Sequence, residues 1–205
     1  MFCEFDTGHD NSPRVTDGGI PPHCVDRDAA KMPDIPCMPV LSVDLSAMSY
    51  GNRTALAEIA GLLGDDRRAK HWQCRAEEGK EKMRQLLYDP EDDFYYDRDR
   101  FGLRKYRTEY LTRLFLNGVT DPAEFDRLYD KWMDDPEQFN TAYPYPSIAV
   151  SDPHFNHDLP VNCWGCNSQA LTAERALIWL DMFGLNIQIA IKQIFHLSPT
   201  LNFLY

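Results

Sequence analysis

Apolar residues recur at helical spacing from about residue 42 onward. From Ser42 the pattern predicts a helix over 42–63 that ends at Gly64, with one apolar face made by Leu45, Met48, Ala55, Leu56, Ile59 and Leu63. A second helix is predicted over 66–88, opening at Asp65 or Asp66, with apolar positions separated by four and three residues: Ala69, Trp72, Ala76, Gly79, Met83 and Leu86. A Gly-Asp turn joins the two, which predicts an antiparallel αα-hairpin.

The middle of the chain alternates polar and helical segments. Residues 89–101 form a polar, tyrosine-rich excursion (DPEDDFYYDRDRF), in which we expect no sheet beyond a short ribbon near Phe94 to Tyr96. A helix is predicted from Lys105 to Leu116. The sequence Asp121-Pro122-Ala123-Glu124 then predicts an N-cap, a proline at the first helical position and a capping box. The following helix carries its apolar side chains at helical spacing: Phe125, Leu128, Tyr129 and Trp132.

Two long loops flank these helices. Residues 1–41 and 135–166 are rich in proline and show no lasting periodicity. A helix over 168–183 is apolar around most of its circumference, which is typical of a helix inside a large assembly, and another helix is possible over 186–197. Helical hairpins alternating with long loops predict an all-α fold with its site at the loop ends.

Composition and charge narrow the classes of function. The 205 residues suit one domain, and a formal net charge of -11 disfavours nucleic acid as a partner. No run of 18 apolar residues is present, and the first ten residues do not form a signal peptide, so we expect a cytoplasmic protein that does not enter a membrane. No GxSxG, HExxH, P-loop or GxGxxG motif occurs, and we expect no cofactor.

The six cysteines are too sparse for a disulfide scaffold in a chain of this length. Reduced thiols are the simplest interpretation. Cys163 and Cys166 form a CxxC, and His154 and His157 precede it, so a zinc site is the alternative. No second ligand pair has characteristic spacing, and we therefore predict no metal site.

The densest group of reactive side chains lies between Asp6 and Arg14 (DTGHDNSPR). Cleavage of a glycosidic bond needs a protonated carboxylic acid at the leaving oxygen and polar groups that hold the sugar hydroxyls. This segment offers both. On composition alone, Asp10 or Asn11 is as readily interpreted as the cap of a turn or helix.

A second group lies in the later loop, where aromatic residues alternate with amides: Tyr143, Tyr145, Phe155, Trp164, Asn162, Asn167 and Gln169. Aromatic faces stack on sugar rings and amides bond to hydroxyls, although the same aromatics also suit a loop fixed to a core. Asp44, at the start of the first helix, is either a sugar ligand or a charge that complements the helix dipole.

The segment TGHDNSPR at Thr7 to Arg14 resembles the acid-bearing motif of glycoside hydrolase family 63 and of the mannosylglycerate-hydrolase-like enzymes. Further segments agree in order: SVDLSAMSYGNRTALAEIAGLLGDDRRAKHW, LLYDPEDDFYYD, DPEQFNTAYPYPSIAVSDPHFN and NCWGCNSQALTAERALIWLDMFG. The resemblance covers roughly residues 6–184. It implies that 1–184 form part of an (α/α)₆ barrel of six helical hairpins and that 185–205 are a divergent tail.

The resemblance also implies an inverting mechanism on α-linked glucosyl or mannosyl groups, with Asp10 as the general acid. By position, Asn11 and Arg14 would shape the pocket around the acid, and Trp164 would form a wall. Asn162, Asn167 and Asp44 are further candidate contacts to the sugar. Asp10 and Trp164 should then face one cavity at the loop ends, close to Arg14.

The sequence departs from the family pattern at three places. Aspartate (Asp6) stands where the motif usually opens with glutamate, and Cys166 stands where a second glycine is usual, which predicts a distorted loop. The family's catalytic base is a glutamate some tens of residues beyond the last motif, whereas no Asp or Glu follows Asp181 here. We therefore expect a fragment that carries the acid without the base. A non-catalytic carbohydrate-binding or interaction module is the alternative, and a small metal-binding helical protein is a third hypothesis.

Overall fold

The computed structural model describes residues 7–8, 12–15, 39–155 and 164–185. Helices dominate these residues, which confirms the all-α prediction. The long helices are α1 (Val43–Leu62), α2 (Asp66–Leu87) and α5 (Ala170–Met182), and the short ones are α3 (Leu111–Leu116) and α4 (Pro122–Leu128). Four short strands lie between α2 and α3: β1 (Tyr88–Asp89), β2 (Phe94–Tyr95), β3 (Asp97–Asp99) and β4 (Gly102–Arg104). The predicted helix over 186–197 lies outside the described residues.

Helices α1 and α2 form the predicted αα-hairpin. Gly64 ends α1 with a φ of +75°, a conformation that glycine adopts without steric cost. Asp65 then caps α2, because its side chain accepts a hydrogen bond from the Arg68 amide at 3.0 Å. The ends of both helices therefore follow directly from turn and cap residues visible in the sequence.

The predicted apolar face of α1 is wrong. The buried residues of this helix are Val43, Asp44, Ala47, Tyr50, Ala57 and Ala60, whereas Leu62 is 88% exposed and Leu63 is 79% exposed. Helix α1 turns its small residues toward α2, where Ala76 is fully buried, so the two helices lie close together and the larger side chains point away. In α2 the prediction is partly right, because Ala76 and Met83 are buried while Leu87, not Leu86, completes the face.

The strands form two antiparallel hairpins. The first pairs Tyr88 with Tyr95, which confirms the predicted ribbon. The second, β3 with β4, was not expected. Its turn forms because the Asp99 carboxylate accepts hydrogen bonds from the amides of Phe101 and Gly102, at 2.7 and 3.1 Å, and pairs with Arg104 at 3.0 Å.

Helix α3 begins at Leu111, six residues later than predicted. The residues before it pair with a distant segment: Thr108 forms a bridge with Ile148, and the Glu109 amide donates to the Ser147 carbonyl at 3.1 Å. The Arg107 amide also donates to the Asp152 carboxylate at 2.7 Å. These tertiary hydrogen bonds hold an extended backbone where local propensity favours a helix.

Helix α4 opens as predicted, with Pro122 in its first turn and the Asp121 carboxylate accepting from the Glu124 amide at 2.9 Å. The capping box is wrong, because the Glu124 carboxylate bonds instead to Tyr95 and Arg84. The helix continues as a π-helical turn, Tyr129–Met133, and its predicted apolar residues are all buried: Phe125, Leu128, Tyr129 and Trp132.

The core lies where α3, α4 and α5 meet. Phe125 stacks on Phe183 with ring centroids 3.7 Å apart, and both approach Phe115. Trp179 on α5 is fully buried among these rings. The opposite side of α5 is exposed, with Leu171, Ile178 and Met182 each about half accessible. No helix in the described part of the chain combines the length and the apolar character needed to cross a bilayer.

Candidate active site

Arg14, at the end of the DTGHDNSPR segment, is the centre of a buried polar cluster. It lies in a short 3-10 turn, Pro13–Val15, and only 2% of the residue is exposed. One guanidinium nitrogen, Nη1, donates to Asp97 Oδ2 at 2.5 Å, and Nη2 donates to Thr7 Oγ1 at 2.6 Å. The guanidinium carbon lies 4.2 Å from the centroid of the Tyr110 ring, in a cation–π arrangement.

These contacts fix both ends of the acid-bearing segment. Thr7 opens the TGHDNSPR motif and Arg14 closes it, and the hydrogen bond between their side chains joins the two ends. The Arg14 carbonyl is also held, because Arg104 on β4 donates to it through Nε at 2.8 Å and Nη2 at 2.6 Å. The second hairpin is therefore a clamp on the motif.

The ionisation of the cluster follows from its surroundings. Burial acts to lower the pKa of Arg14, but the neighbouring Tyr110, Asp97 and Asp44 together raise it above its ordinary value, so the guanidinium stays cationic. Burial raises the pKa of the Asp97 carboxyl, and the Arg14 charge opposes that effect. Burial also raises the pKa of Tyr110 well above its usual range, so its hydroxyl stays protonated.

Asp97 also caps helix α1. Its Oδ1 accepts a hydrogen bond from the Val43 amide at 2.8 Å, while Ser42, at the N-cap position, makes no capping bond of its own. Asp44 lies in the first turn of the same helix and is 3% exposed. Its carboxylate accepts from the Ser42 hydroxyl and from the Leu45 amide. This position suits the dipole interpretation of Asp44, and its role as a sugar contact stays a prediction.

The second motif region lies at Trp164 to Ser168. Trp164 is partly exposed, Cys166 is buried, and the Cys166 thiol lies 3.4 Å from Asn167 Oδ1. Asn167 is exposed, and its backbone carbonyl accepts from the Ser147 amide at 3.1 Å and from the Ser147 hydroxyl at 2.7 Å. Among the described residues Asp93 is the one non-glycine residue with a positive φ, so Cys166 has an ordinary φ and the predicted distortion is not seen at this residue.

Two adjacent residues connect the motif regions. The Tyr110 hydroxyl lies 3.4 Å from Thr7 Oγ1 in the first motif. The Glu109 amide bonds to Ser147, which in turn bonds to Asn167 in the second. The fold therefore connects, through a short chain of contacts, two segments that are more than 150 residues apart in sequence.

The predicted site residues fall into two groups. Arg14, Asp44, Trp164 and Asn167 are placed as given above, and Asp10, Asn11 and Asn162 lie outside the described residues. The predicted common cavity of Asp10 and Trp164 therefore stays a prediction. His154, from the alternative metal site, has its ring Nδ1 2.9 Å from Asp152 and packs against Tyr106.

Sequence reasoning missed Asp97, Arg104 and Tyr110. Their residue types carried a signal, because a buried arginine in the motif requires a carboxylate partner. The excursion at residues 89–101 holds several aspartates, and nothing in the sequence distinguishes Asp97 from the others. Only the second hairpin brings Asp97 to Arg14.

Comparison with known proteins assigns this geometry to a family. The family model "Mannosylglycerate hydrolase MGH1-like glycoside hydrolase domain" matches residues 2–167. The chain is 34% identical over 86 residues to a trehalase from Bombyx mori, a match that covers 40% of this chain and 15% of the trehalase.

Two solved structures share the fold. A glycoside hydrolase family 63 mannosylglycerate hydrolase from Thermus thermophilus, in complex with glucose, superposes with a TM-score of 0.68 at 18% identity. That match covers 94% of this chain and 54% of the other. Neutral trehalase from Saccharomyces cerevisiae gives a TM-score of 0.60 at 16% identity, covering 73% of this chain and 29% of the other. The chain thus spans about half of the first structure and less of the second.

Proposed function

The chain belongs to the mannosylglycerate-hydrolase MGH1-like glycoside hydrolase family, and from that membership we propose that it carries the acid side of an inverting α-glycosidase site. The fold is part of the six-hairpin toroid of its structural neighbours. Asp10 is the proposed general acid, which protonates the leaving oxygen of an α-linked glucosyl or mannosyl group. The observation that supports this best is the fixation of the motif at both ends by the Arg14 side chain.

A general acid needs a fixed position relative to the glycosidic oxygen. Asp10 lies between Thr7 and Arg14 in the sequence, and these two residues are joined to each other and to the buried Asp97 and Tyr110. Arg14 is itself too buried to present its side chain freely to a sugar. Its proposed role is therefore to position the segment around Asp10, while Asn11, Asn162, Trp164 and Asn167 are the proposed sugar contacts.

Inversion also requires a carboxylate about 6.5–9.5 Å from the acid that activates water on the opposite face of the sugar. No Asp or Glu follows Asp181 in this sequence, so the chain offers no base at the family's position. Asp44 is buried at the start of α1 and engaged by Ser42 and Leu45, which makes it a poor substitute. We therefore expect the chain alone to bind sugar without measurable turnover.

The experiment is an assay of the purified chain with nitrophenyl α-glucoside and α-mannoside, beside the Asp10→Asn variant. The two proteins should release nitrophenol at the same background rate. Glucose and mannose should bind to the chain in a calorimetric titration, and Trp164→Ala should weaken that binding. Turnover that Asp10→Asn abolishes would contradict our account of the base, and a chain that binds neither sugar would contradict the proposed site.

A non-catalytic carbohydrate-binding module is the second candidate, and the absence of acidic residues after Asp181 favours it. The two candidates differ in the effect of Asp10→Asn on a chain to which a base is restored. Adding the corresponding base-bearing half of a family member in trans should give turnover that depends on Asp10 if the acid side is intact. A binding module would give no Asp10-dependent turnover in that mixture.

A further inference from the structure

An open groove lies away from the Arg14 cluster, between the end of α2, the β1–β2 hairpin and the first turns of α4. Its volume is about 430 Å³, within the usual range of ~300–1,000 Å³ for small-molecule sites. Six residues line it: Arg84, Tyr88, Tyr95, Ala123, Glu124 and Arg127. None of these residues belongs to the candidate active site described above.

Two tyrosines form the aromatic part of the groove. Tyr88 and Tyr95 are a cross-strand pair of the first hairpin, with ring centroids 5.1 Å apart. Tyr95 is buried at 2% exposure, whereas Tyr88 is partly exposed. The hairpin register therefore places the Tyr88 ring where a ligand can lie against it, with Tyr95 supporting it from behind.

Two matching polar networks orient the tyrosines. The Tyr95 hydroxyl donates to Glu124 Oε1 at 2.8 Å, and Arg84 Nη2 donates to Glu124 Oε2 at 2.9 Å. The Tyr88 hydroxyl donates to Asp93 Oδ1 at 2.7 Å, and Arg127 bonds to the same oxygen. Each network consists of one tyrosine, one carboxylate and one arginine.

The two arginines keep donor capacity toward the groove. A guanidinium has five N–H groups, and the side chains of Arg84 and Arg127 are 39% and 45% exposed. Their ion pairs hold each guanidinium in place, while the remaining N–H groups are open to a ligand hydroxyl. Glu124 supplies acceptor oxygens at the same wall.

The charge of the groove disfavours an anionic ligand. The two arginines are matched by Glu124 and Asp93, and Asp121 lies 3.7 Å from Arg84 Nη2 as a third carboxylate. The whole chain carries a net charge of -11. A phosphate or carboxylate would meet repulsion here, whereas a neutral ligand with several hydroxyl groups would find both donors and acceptors.

We propose that this groove is a second carbohydrate-binding site, which holds a neutral sugar of one or two rings against Tyr88 with its hydroxyls bonded to Arg84, Arg127 and Glu124. The aromatic ring contacts the apolar face of the sugar, and the ordered charged groups select its hydroxyls. The site is independent of the proposed catalytic role of Asp10. It would keep a glycan chain on the protein surface in addition to any contact in the toroid.

The experiment is a titration of the isotopically labelled chain with maltose, followed through backbone amide signals by nuclear magnetic resonance. Signals from residues 84–95 and 123–127 should shift and saturate at millimolar maltose. Ala123 is exposed and lines the groove, so Ala123→Leu should fill it without disturbing the core and should abolish the shifts. Ala55→Leu, an identical change at an exposed position of α1, is the matched control and should leave them intact.

A second variant, Arg127→Gln, removes one donor at the rim and should raise the maltose dissociation constant several-fold. Inorganic phosphate is the counter-probe and should leave the groove signals unchanged. The proposal is overturned if maltose does not shift these signals, if phosphate shifts them instead, or if Ala123→Leu binds as the parent does. Trp164→Ala should not alter the groove signals, so failure here is distinguishable from failure of the proposed catalytic site.

Discussion

Arg14 and Asp97 are 83 positions apart in the sequence and form a buried ion pair, with Arg14 Nη1 2.5 Å from Asp97 Oδ2. The exposed fractions of the two side chains are 1% and 7%. The pair joins the conserved-looking motif at the start of the chain to a hairpin inserted between two helices. The position of the motif thus depends on a segment that the motif itself does not reveal.

Asp97→Asn should lower the free energy of unfolding by about 3 kcal/mol, because it leaves the buried Arg14 cation without its carboxylate. Asparagine keeps an oxygen for the Val43 amide, so the loss reports mainly on the ion pair. Urea denaturation measures the change. Asp126→Asn, at an exposed position of α4, is the control and should stay within about 0.5 kcal/mol of the parent. Equal stability of the two variants would contradict the pairing.

Ala47→Leu should destabilise the chain by about 1–3 kcal/mol, because Ala47 is fully buried on the side of α1 that packs in the core. Leu62→Ala removes a larger side chain from the same helix but should change stability by less than about 0.5 kcal/mol, since Leu62 is 88% exposed. Thermal unfolding of both variants compares the two faces. The opposite ranking would show that the sequence pattern had identified the buried face correctly.

Asp89→Asn should reduce the loss of stability at acid pH. The hydrogen bond from Lys105 holds the pKa of Asp89 below its ordinary value of 3.8, against the effect of burial. A carboxyl with a lowered pKa in the folded state adds stability above its unfolded pKa, and this stability is lost as the pH falls through the folded pKa. Urea denaturation at pH values from about 6 down to about 2 should therefore show a shallower acid slope for the variant.

Asparagine can still accept the amide hydrogen bonds of Glu91 and Asp92, so this substitution isolates the charge. Asp126→Asn again serves as the control, with an acid slope equal to that of the parent. An unchanged slope for Asp89→Asn would mean that Lys105 does not stabilise the ionised carboxyl.

Asp65→Ala should cost about 1 kcal/mol, since it removes the side chain that caps α2 at the Arg68 amide. Asp66→Ala, one residue later, removes a first-turn charge without a cap and should cost only about 0.3 kcal/mol. Circular dichroism during chemical denaturation measures both. Similar losses for the two substitutions would argue against the cap.

Helix ends were predictable because they depend on neighbouring residues. Gly64, Asp65 and Asp121 each act within a few positions of where they stand, and each acts as predicted. The start of α3 was not predictable, because bonds from Arg107 and Glu109 to a segment about 40 residues later hold an extended backbone there. Sequence periodicity carries no information about such distant partners.

The face of α1 failed for a different reason. Periodicity analysis weights large apolar side chains, and Leu56 and Ile59 outweigh alanines in that measure. Two helices that approach closely need small residues between them, so the contact selects Ala47 and Ala57. For the site, the motif at Thr7 to Arg14 was evident in the sequence, whereas the residues that hold Arg14 came from a hairpin that no pattern indicated.

The two oxygens of Asp97 serve two different parts of the protein, one at Arg14 and the other at the Val43 amide. Release of the motif and fraying of α1 are therefore expected as a single opening event, not two independent ones. In hydrogen-exchange terms, the Val43 amide should exchange at the rate at which the acid-bearing segment detaches. A backbone position 33 residues from Asp10 would then report the residence time of the proposed catalytic acid in its working position.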